Sequence, residues 1–210
     1  MTTSRMYRLL SYLVLCSLPL VTGCGSQLSM PPVDPQAATE AAFKLYDADG
    51  DGLLDAEEML GSPALAAELG EYDTDGDKKI SKKEMLDRII QMYERNIAYT
   101  KADCIVTLDG KQLSGATVRY IPESYLGEGT THPAEGTTDT SGFANLSMAA
   151  ELLPEDAGGR ALMQVGLYRV EITHPTKSIP AKYNTETTLG FELHPARHYG
   201  PHGKFDLVSK

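Results

Sequence analysis

The spacing of apolar residues changes twice along the chain and divides it into three parts. Residues 9–21 are almost continuously apolar. From about residue 35 to residue 98 apolar residues recur with a helical period, whereas beyond Thr100 they alternate with polar residues. A helical period indicates amphipathic helices, and alternation indicates strands with one buried face. The pattern therefore predicts an apolar N-terminal segment, a helical unit and a β unit.

The β unit is predicted to contain short strands, because its alternating runs are separated by turn signals such as Asp109-Gly110 and Ser141-Gly142. The runs are residues 103–108, 116–121, 136–139, 143–148, 166–174, 187–193 and 204–208. This many short strands in about 110 residues is typical of an antiparallel sandwich. The predicted fold class is multidomain α + β, with an all-α unit followed by an all-β antiparallel sandwich.

The formal net charge of −10 is concentrated in the helical unit. Residues 24–100 carry 16 acidic against 7 basic side chains, and residues 101–210 carry 13 against 10. This balance argues against nucleic acid as the main partner, because phosphate binding needs a basic surface. The acidic excess in one part of the chain needs a local explanation there.

The N-terminal segment has the features of an export signal. Arg5 and Arg8 precede the apolar run, which ends in small residues. The run is shorter than the roughly 20 apolar residues that a membrane-spanning helix needs. We therefore expect the segment to be removed on export.

The end of this segment, Leu20-Val21-Thr22-Gly23-Cys24, resembles the bacterial lipobox. The resemblance implies that residues 1–23 are a signal peptide and that Cys24 receives lipid. Residues 24–34 then form a lipidated tether. We expect an exported protein of the cell envelope, anchored to the membrane through Cys24. The alternative is an ordinary secretory signal that ends by chance at a cysteine.

Cys104 would be the only free thiol of the mature chain, because Cys16 leaves with the signal peptide and Cys24 carries lipid. An intramolecular disulfide is then impossible. Cys104 lies in an alternating strand pattern, which predicts a buried thiol. A reactive nucleophile is the alternative.

An acidic run after the first predicted helix matches a metal-binding pattern at every specified position. The helix is predicted to start at Asp34-Pro35, with the acid as N-cap, and to run to about Tyr46. Residues 47–58, called loop one, then satisfy D-x-[DN]-x-[DN]-G-x5-E. A loop of this kind surrounds calcium with oxygen ligands. The candidate ligands are Asp47, Asp49, Asp51, the Leu53 carbonyl, Asp55 and Glu58.

The pattern recurs in residues 73–84, called loop two, with one departure. Lys78 stands where loop one has Gly52, at a turn whose backbone needs φ > 0. Leu54 and Ile80 occupy equivalent apolar positions, which lets the two loops pair back to back. The candidate ligands of loop two are Asp73, Asp75, Asp77, the Lys79 carbonyl, Ser81 and Glu84.

These motifs together resemble a two-loop unit of the EF-hand family over residues 35–98. The resemblance implies Ca²⁺ as the ligand, and the alternative for either loop is an acidic, solvated turn. Ser62-Pro63 signals a new helix start between the loops, but the distance leaves room only for short helices. This spacing favours a closed, structural unit over a calcium sensor that opens.

The β unit carries an ordered series of motifs at residues 106–118, 136–143 and 166–172, followed by residues 179–184 and 204–207. In this order they are similar to carboxypeptidase regulatory-like domains of transthyretin-like topology. The last two motifs match a version common in bacterial surface lipoproteins. The resemblance implies a transthyretin-like or Ig-like sandwich over residues 102–210 and a non-catalytic, accessory role.

The sequence gives little support to the hypothesis that this protein is an enzyme. A hydroxyisourate hydrolase of the same fold ends in Tyr-Arg-Gly-Ser, a motif that is missing from the last residues here. A histidine-rich stretch has a spacing of four, which on a helix would align metal ligands. Pro195 and Pro201 argue against a helix there, so a solvated loop is predicted, with a transition-metal site as the alternative. The histidines are His194, His198 and His202.

The sequence therefore predicts a calcium-binding, membrane-anchored surface lipoprotein that acts as a binding or adhesion module and is not an enzyme. Its predicted partners are calcium, the membrane through the lipid on Cys24, and a surface protein or glycan recognised by loops or an edge strand. The alternative is an accessory module of a metal-dependent hydrolase that uses the histidine-rich loop.

Overall fold

The computed structural model describes residues 31–196 and 203–210. The predicted signal peptide and Cys24 lie outside these residues, as do His198 and His202. Within the described ranges a helical part comes first and a β part follows. No helix in these ranges is long and apolar enough to cross a bilayer.

The main helices of the helical part begin at capping residues. Asp34 caps the first helix by accepting a hydrogen bond from the Gln36 N–H at 2.9 Å, and Ser81 and Glu84 form a capping box at the start of the last. The helices between the two loops are short, as predicted, with five and four residues. The elements are α1 (Pro35–Tyr46), β1 (Leu53–Leu54), α2 (Pro63–Ala67), α3 (Leu69–Tyr72), β2 (Ile80–Ser81) and α4 (Lys82–Glu94).

The β part contains all seven predicted strands, each within two residues of its predicted ends, together with three short strands. The short strands are β3 (Tyr99–Thr100), β5 (Lys111–Gln112) and β9 (Met163–Gln164). The predicted ones are β4 (Ala102–Leu108), β6 (Thr117–Pro122), β7 (Ala134–Thr137), β8 (Phe143–Met148), β10 (Gly166–Thr173), β11 (Leu189–Leu193) and β12 (Gly203–Leu207).

The seven longer strands form one curved, half-barrel sheet in the order β11-β10-β6-β7-β8-β4-β12. Its curvature brings distant strands together. The rings of Tyr120 on β6 and Phe205 on β12 have centroids 6.3 Å apart, although three strands separate β6 from β12 in the sheet order. The concave side therefore encloses a hydrophobic core, which contains the buried thiol of Cys104. Burial raises the pKa of that thiol to about 12, so the buried-thiol prediction is confirmed.

One strand pairing departs from the prediction of an all-antiparallel sheet. β12 runs parallel to β4, with Gly203 opposite Cys104 and Leu207 opposite Leu108. β12 lies at one end of the sheet order and β11, the strand before it in the chain, lies at the other. A tight hairpin would have imposed an antiparallel pair. Because no hairpin joins β12 to its neighbour, either direction is open to it.

Two strands bury both of their faces. On β10, Tyr168 and Val170 belong to the core inside the sheet, whereas Leu167 belongs to the core of the helical part. On β11, Phe191 packs inside the sheet, whereas a Cβ at Gly190 would lie 1.9 Å from the carbonyl oxygen of Pro63 in α2. The helical part therefore packs directly on the outer face of β10 and β11.

The core of the helical part includes four residues that come from the β part. They are Tyr125, Leu126, Val165 and Leu167. Tyr125 and Leu126 belong to a short 3₁₀ turn that contacts α1. The two parts thus share a continuous buried interface.

Two buried carboxylates from the β part hold the ends of the segment between the loops. This inter-loop segment is residues 62–72. Glu123 accepts hydrogen bonds from the Ser62 hydroxyl at 3.1 Å and from the Ala64 N–H at 3.3 Å. Glu192 accepts one from the Tyr72 hydroxyl at 2.9 Å. Burial raises the pKa of both carboxyls, and the hydrogen bonds that they accept oppose that rise.

Gly190→Ala is expected to lower the free energy of unfolding by about 1–3 kcal/mol or more, because the added methyl group overlaps the Pro63 backbone. Urea unfolding followed by circular dichroism measures the change. Gly70→Ala in α3 is the matched control, since nothing lies within 4 Å of its added Cβ and alanine favours a helix by about 0.5–1 kcal/mol. Equal stability of Gly190→Ala and the parent would contradict the close packing of α2 on β11.

Candidate metal centre

Loop one gathers carboxylate oxygens at the end of α1. Three of its residues each place one carboxylate oxygen within 4.8 Å of the other two, namely Asp47, Asp49 and Glu58. Backbone N–H groups hold these side chains in place. Asp47 accepts from Gly50 at 2.8 Å and from Gly52 at 3.2 Å, and Glu58 accepts from Asp55 at 3.0 Å. The loop therefore folds its own backbone around an acidic cluster.

Loop two repeats this arrangement at the end of α3. One oxygen each from Asp73, Asp75 and Glu84 can lie within 4.8 Å of one another. Asp73 accepts from the N–H of Lys78 at 2.9 Å. Glu84 accepts from the N–H groups of Thr74 and Ser81 and from both of their hydroxyls, at 2.8–2.9 Å. The two loops thus position equivalent carboxylates in the same way.

Burial raises the pKa of the Glu84 carboxyl, but the hydrogen bonds from Ser81 and Thr74 outweigh it and bring the pKa to about 2. Glu84 is therefore ionised throughout the neutral range. A cation ligand has to be deprotonated, so this carboxylate is prepared for that role.

The other predicted ligands lie in the loops but outside these two groups of three. Asp51 accepts from the Leu53 N–H at 2.8 Å and forms an ion pair with Lys79 Nζ at 3.2 Å. Asp55 accepts from the Glu58 N–H at 3.1 Å, and Asp77 accepts from the Lys79 N–H at 2.7 Å. Leu53 starts β1, Lys79 precedes β2, and Ser81 bonds Glu84 through its hydroxyl.

A two-stranded bridge joins the loops back to back, as the sequence predicted. Leu54 in β1 pairs with Ile80 in β2, and both side chains are fully buried. The ion pair between Lys79 and Asp51 also crosses from one loop to the other. It is exposed, and pairs of that kind contribute little to stability because solvent screens their charges. The apolar bridge is therefore the stronger link between the loops.

The turn of loop two adopts the strained conformation predicted for Lys78. Its φ is 66°, and the equivalent Gly52 in loop one has a φ of 82°. A residue with a Cβ costs roughly 1–2 kcal/mol in this region, whereas glycine adopts it freely. Loop two therefore closes against a strain that loop one does not have.

The donor set fits a hard cation. Oxygens on opposite sides of a calcium ion lie about 4.6–5.2 Å apart, given metal–oxygen distances of about 2.3–2.6 Å. Within each group the three carboxylate oxygens all lie within 4.8 Å of one another, so one ion of this size can contact all three. The two groups contain aspartate and glutamate but neither histidine nor cysteine, and such all-oxygen sets suit calcium better than zinc.

The histidine-rich stretch is described only at His194. That side chain is 7% exposed, and its Nδ1 accepts a hydrogen bond from the Ala196 N–H at 3.1 Å. His198 and His202 lie outside the described residues. The solvated loop therefore stays a prediction, with a transition-metal site as its alternative. Among the residues that the structure describes, the two carboxylate groups are the clusters suited to a metal.

The EF-hand family matches this chain over residues 39–60, which cover the end of α1 and loop one. No curated protein matches the chain. A crystal structure of a DUF3823 family protein from Parabacteroides merdae aligns with a TM-score of 0.31 and 13% identity, over 53% of this chain and 45% of that chain. The matched part of the chain thus spans less than half of that protein. The acidic loops and the family match together indicate binding of a divalent cation, with calcium favoured.

Several residues around the loops were not predicted as part of the site. Thr74 supplies two of the four hydrogen bonds to Glu84, and its position in the loop is open to any residue in the sequence pattern. Glu123 and Glu192 approach from the β part, far away in sequence. No periodic pattern marks either of them, because a lone glutamate in or next to a strand ordinarily faces solvent.

Lys78→Gly is expected to strengthen calcium binding by loop two about 5- to 30-fold, because it removes roughly 1–2 kcal/mol of strain from the closed loop. Calorimetric titration in a Glu58→Gln background isolates loop two. The reciprocal change, Gly52→Lys in a Glu84→Gln background, should weaken loop one, and nothing within 4 Å of the new Cβ complicates it. If Lys78→Gly leaves loop two unchanged or weaker, backbone strain does not limit its affinity.

Proposed function

We propose that this protein is a calcium-binding lipoprotein of the cell envelope, anchored through Cys24, in which calcium stabilises a β module that binds a surface protein or glycan. The proposal rests on one observation. The segment that connects the two acidic loops packs on the outer face of the sheet. Residues 35–94 of the helical part contain the candidate metal ligands, and the β part contains the curved sheet.

The packing supports a structural role for calcium over a sensor role. A calcium sensor exposes an apolar groove on loading. Here the apolar faces of the helices already pack against Tyr125, Leu126 and Leu167 of the β part. Opening the helices would expose this shared core to water at a hydrophobic cost. Calcium is therefore proposed to stabilise the closed arrangement of the helices on the β part.

The β part is proposed to be a transthyretin-like sandwich without catalytic activity. Its curved sheet and enclosed core support the sandwich part of this proposal. α2 packs on the outer face of β11, which lies at one end of the sheet order, and β12 lies at the other end. Exposed Lys204 and Asp206 on β12 form an ion pair at 3.2 Å. Charged side chains protect such an edge from aggregation, so a partner that pairs with β12 would need matching polar groups.

Calcium is expected to raise the melting temperature of the full chain while the fluorescence of a hydrophobic dye stays flat. Extracellular EF-hand modules bind with a Kd of about 10⁻⁴–10⁻³ M, and calcium at 100 times the Kd adds about 2.7 kcal/mol. The Glu58→Gln, Glu84→Gln double variant is the control and should lose the shift. A marked rise in dye binding would indicate a sensor instead.

Cys24→Ser is expected to move the protein out of the membrane fraction, because more than one lipid chain is needed for stable anchoring and the thiol is their attachment point. Cell fractionation with detection of the full chain measures this. Cys104→Ser is the matched control and should leave the distribution unchanged, since that thiol lies in the sheet core. A Cys24→Ser protein that is processed normally and stays in the membrane would contradict lipid anchoring.

A further inference from the structure

Glu192 bonds to one residue on each side of loop two, from the opposite side of the interface. Tyr72, the last residue of α3, directly precedes Asp73 and donates its hydroxyl to Glu192 at 2.9 Å. Arg88, one turn beyond Glu84 on α4, donates to both oxygens of the same carboxylate. A single β-strand residue therefore contacts the helix that enters loop two and the helix that leaves it.

The Glu192 carboxylate is fully buried, and its contacts are largely sheltered from water. Its side chain is 0% exposed and that of Arg88 is 12% exposed. Tyr72 is also fully buried, and the Arg88 guanidinium carbon lies 5.9 Å from the centre of its ring. A buried carboxylate that loses its donors is strongly destabilised, so the three side chains constrain one another closely.

The distance between the ends of loop two depends on these contacts. Asp73 follows Tyr72 by one residue, and Glu84 precedes Arg88 by one helical turn. The first and last ligands of the loop must both reach one cation. Binding of Tyr72 and Arg88 to one carboxylate, together with the ion pair between Arg88 and Glu71 on α3 at 3.2 Å, therefore restricts the separation of the backbone segments that carry those ligands.

We propose that Glu192 is a positioning residue for calcium binding by loop two. It contacts no metal itself and acts through Tyr72 and Arg88. The inference rests on the proposed calcium binding of the loops. Because coupling between two equilibria is reciprocal, calcium in loop two should in turn strengthen the docking of the helices on β11.

Loop one offers an internal comparison because it is anchored differently. Ser62 and Ala64, which follow its exit, bond to Glu123. Tyr46, which precedes Asp47, packs edge-on against Tyr125 with ring centroids 6.1 Å apart. Changes at Glu192 should therefore weaken loop two and leave loop one nearly unchanged.

The test uses the full chain and titrates each loop separately with calcium by calorimetry. Loop two is measured in a Glu58→Gln background and loop one in a Glu84→Gln background. Tyr72→Phe removes one hydroxyl and leaves the ring packed, and Glu192→Gln keeps the side-chain size. Both are expected to weaken loop two at least about fivefold, the lower end of typical coupling between sites, and to change loop one less than twofold.

Tyr93→Phe is the matched control. Tyr93 lies on α4, the helix that carries Arg88. Its hydroxyl also donates a hydrogen bond across the interface, but to the Val165 carbonyl at 3.4 Å and not to Glu192. Its loop-two affinity should equal that of the parent. The inference is overturned if folded Tyr72→Phe binds at loop two like the parent, or if Tyr93→Phe weakens loop two equally. If neither loop of the parent binds calcium, the proposed function itself fails and this inference falls with it.

Discussion

Two buried glutamates impose the constraint on which the rest of the structure depends. A carboxylate inside a protein needs donors at fixed positions. Glu123 and Glu192 find theirs at opposite ends of the inter-loop segment, on Ser62, Ala64 and Tyr72. The segment is therefore held at both ends on the outer face of the sheet. Since it joins the two acidic loops, the placement of both loops follows from this docking.

The sequence was sufficient wherever one short stretch determines its own structure. The loop motif, the helix-start signals at Asp34-Pro35 and Ser62-Pro63 and the positive φ of Lys78 each depend on neighbouring residues and agree with the structure. The seven longer strands could be predicted because alternation marks a strand buried on one face. The assignments of ligands, domain boundaries and lipid attachment rest on motifs and remain predictions.

The missed features outside the loops arise from contacts between distant residues. The parallel pairing of β12 with β4 joins strands about a hundred residues apart in sequence. Gly190 and Glu192 alternate with the inward-facing Phe191, which normally indicates a solvent-exposed face, yet helices cover that face. On β10, the adjacent apolar residues Leu167 and Tyr168 hint in the sequence at a strand covered on both sides, and both are buried in the structure. Local patterns cannot identify the element that supplies such a cover.

Hydrogen–deuterium exchange with and without calcium tests the central claim most directly, that the loops and the sheet form one cooperative unit. The account predicts that calcium slows amide exchange in β10 and β11 together with α4, because opening the interface would break the contacts of Glu192. Slowed exchange confined to residues 47–94, with unchanged rates in β10 and β11, would contradict it.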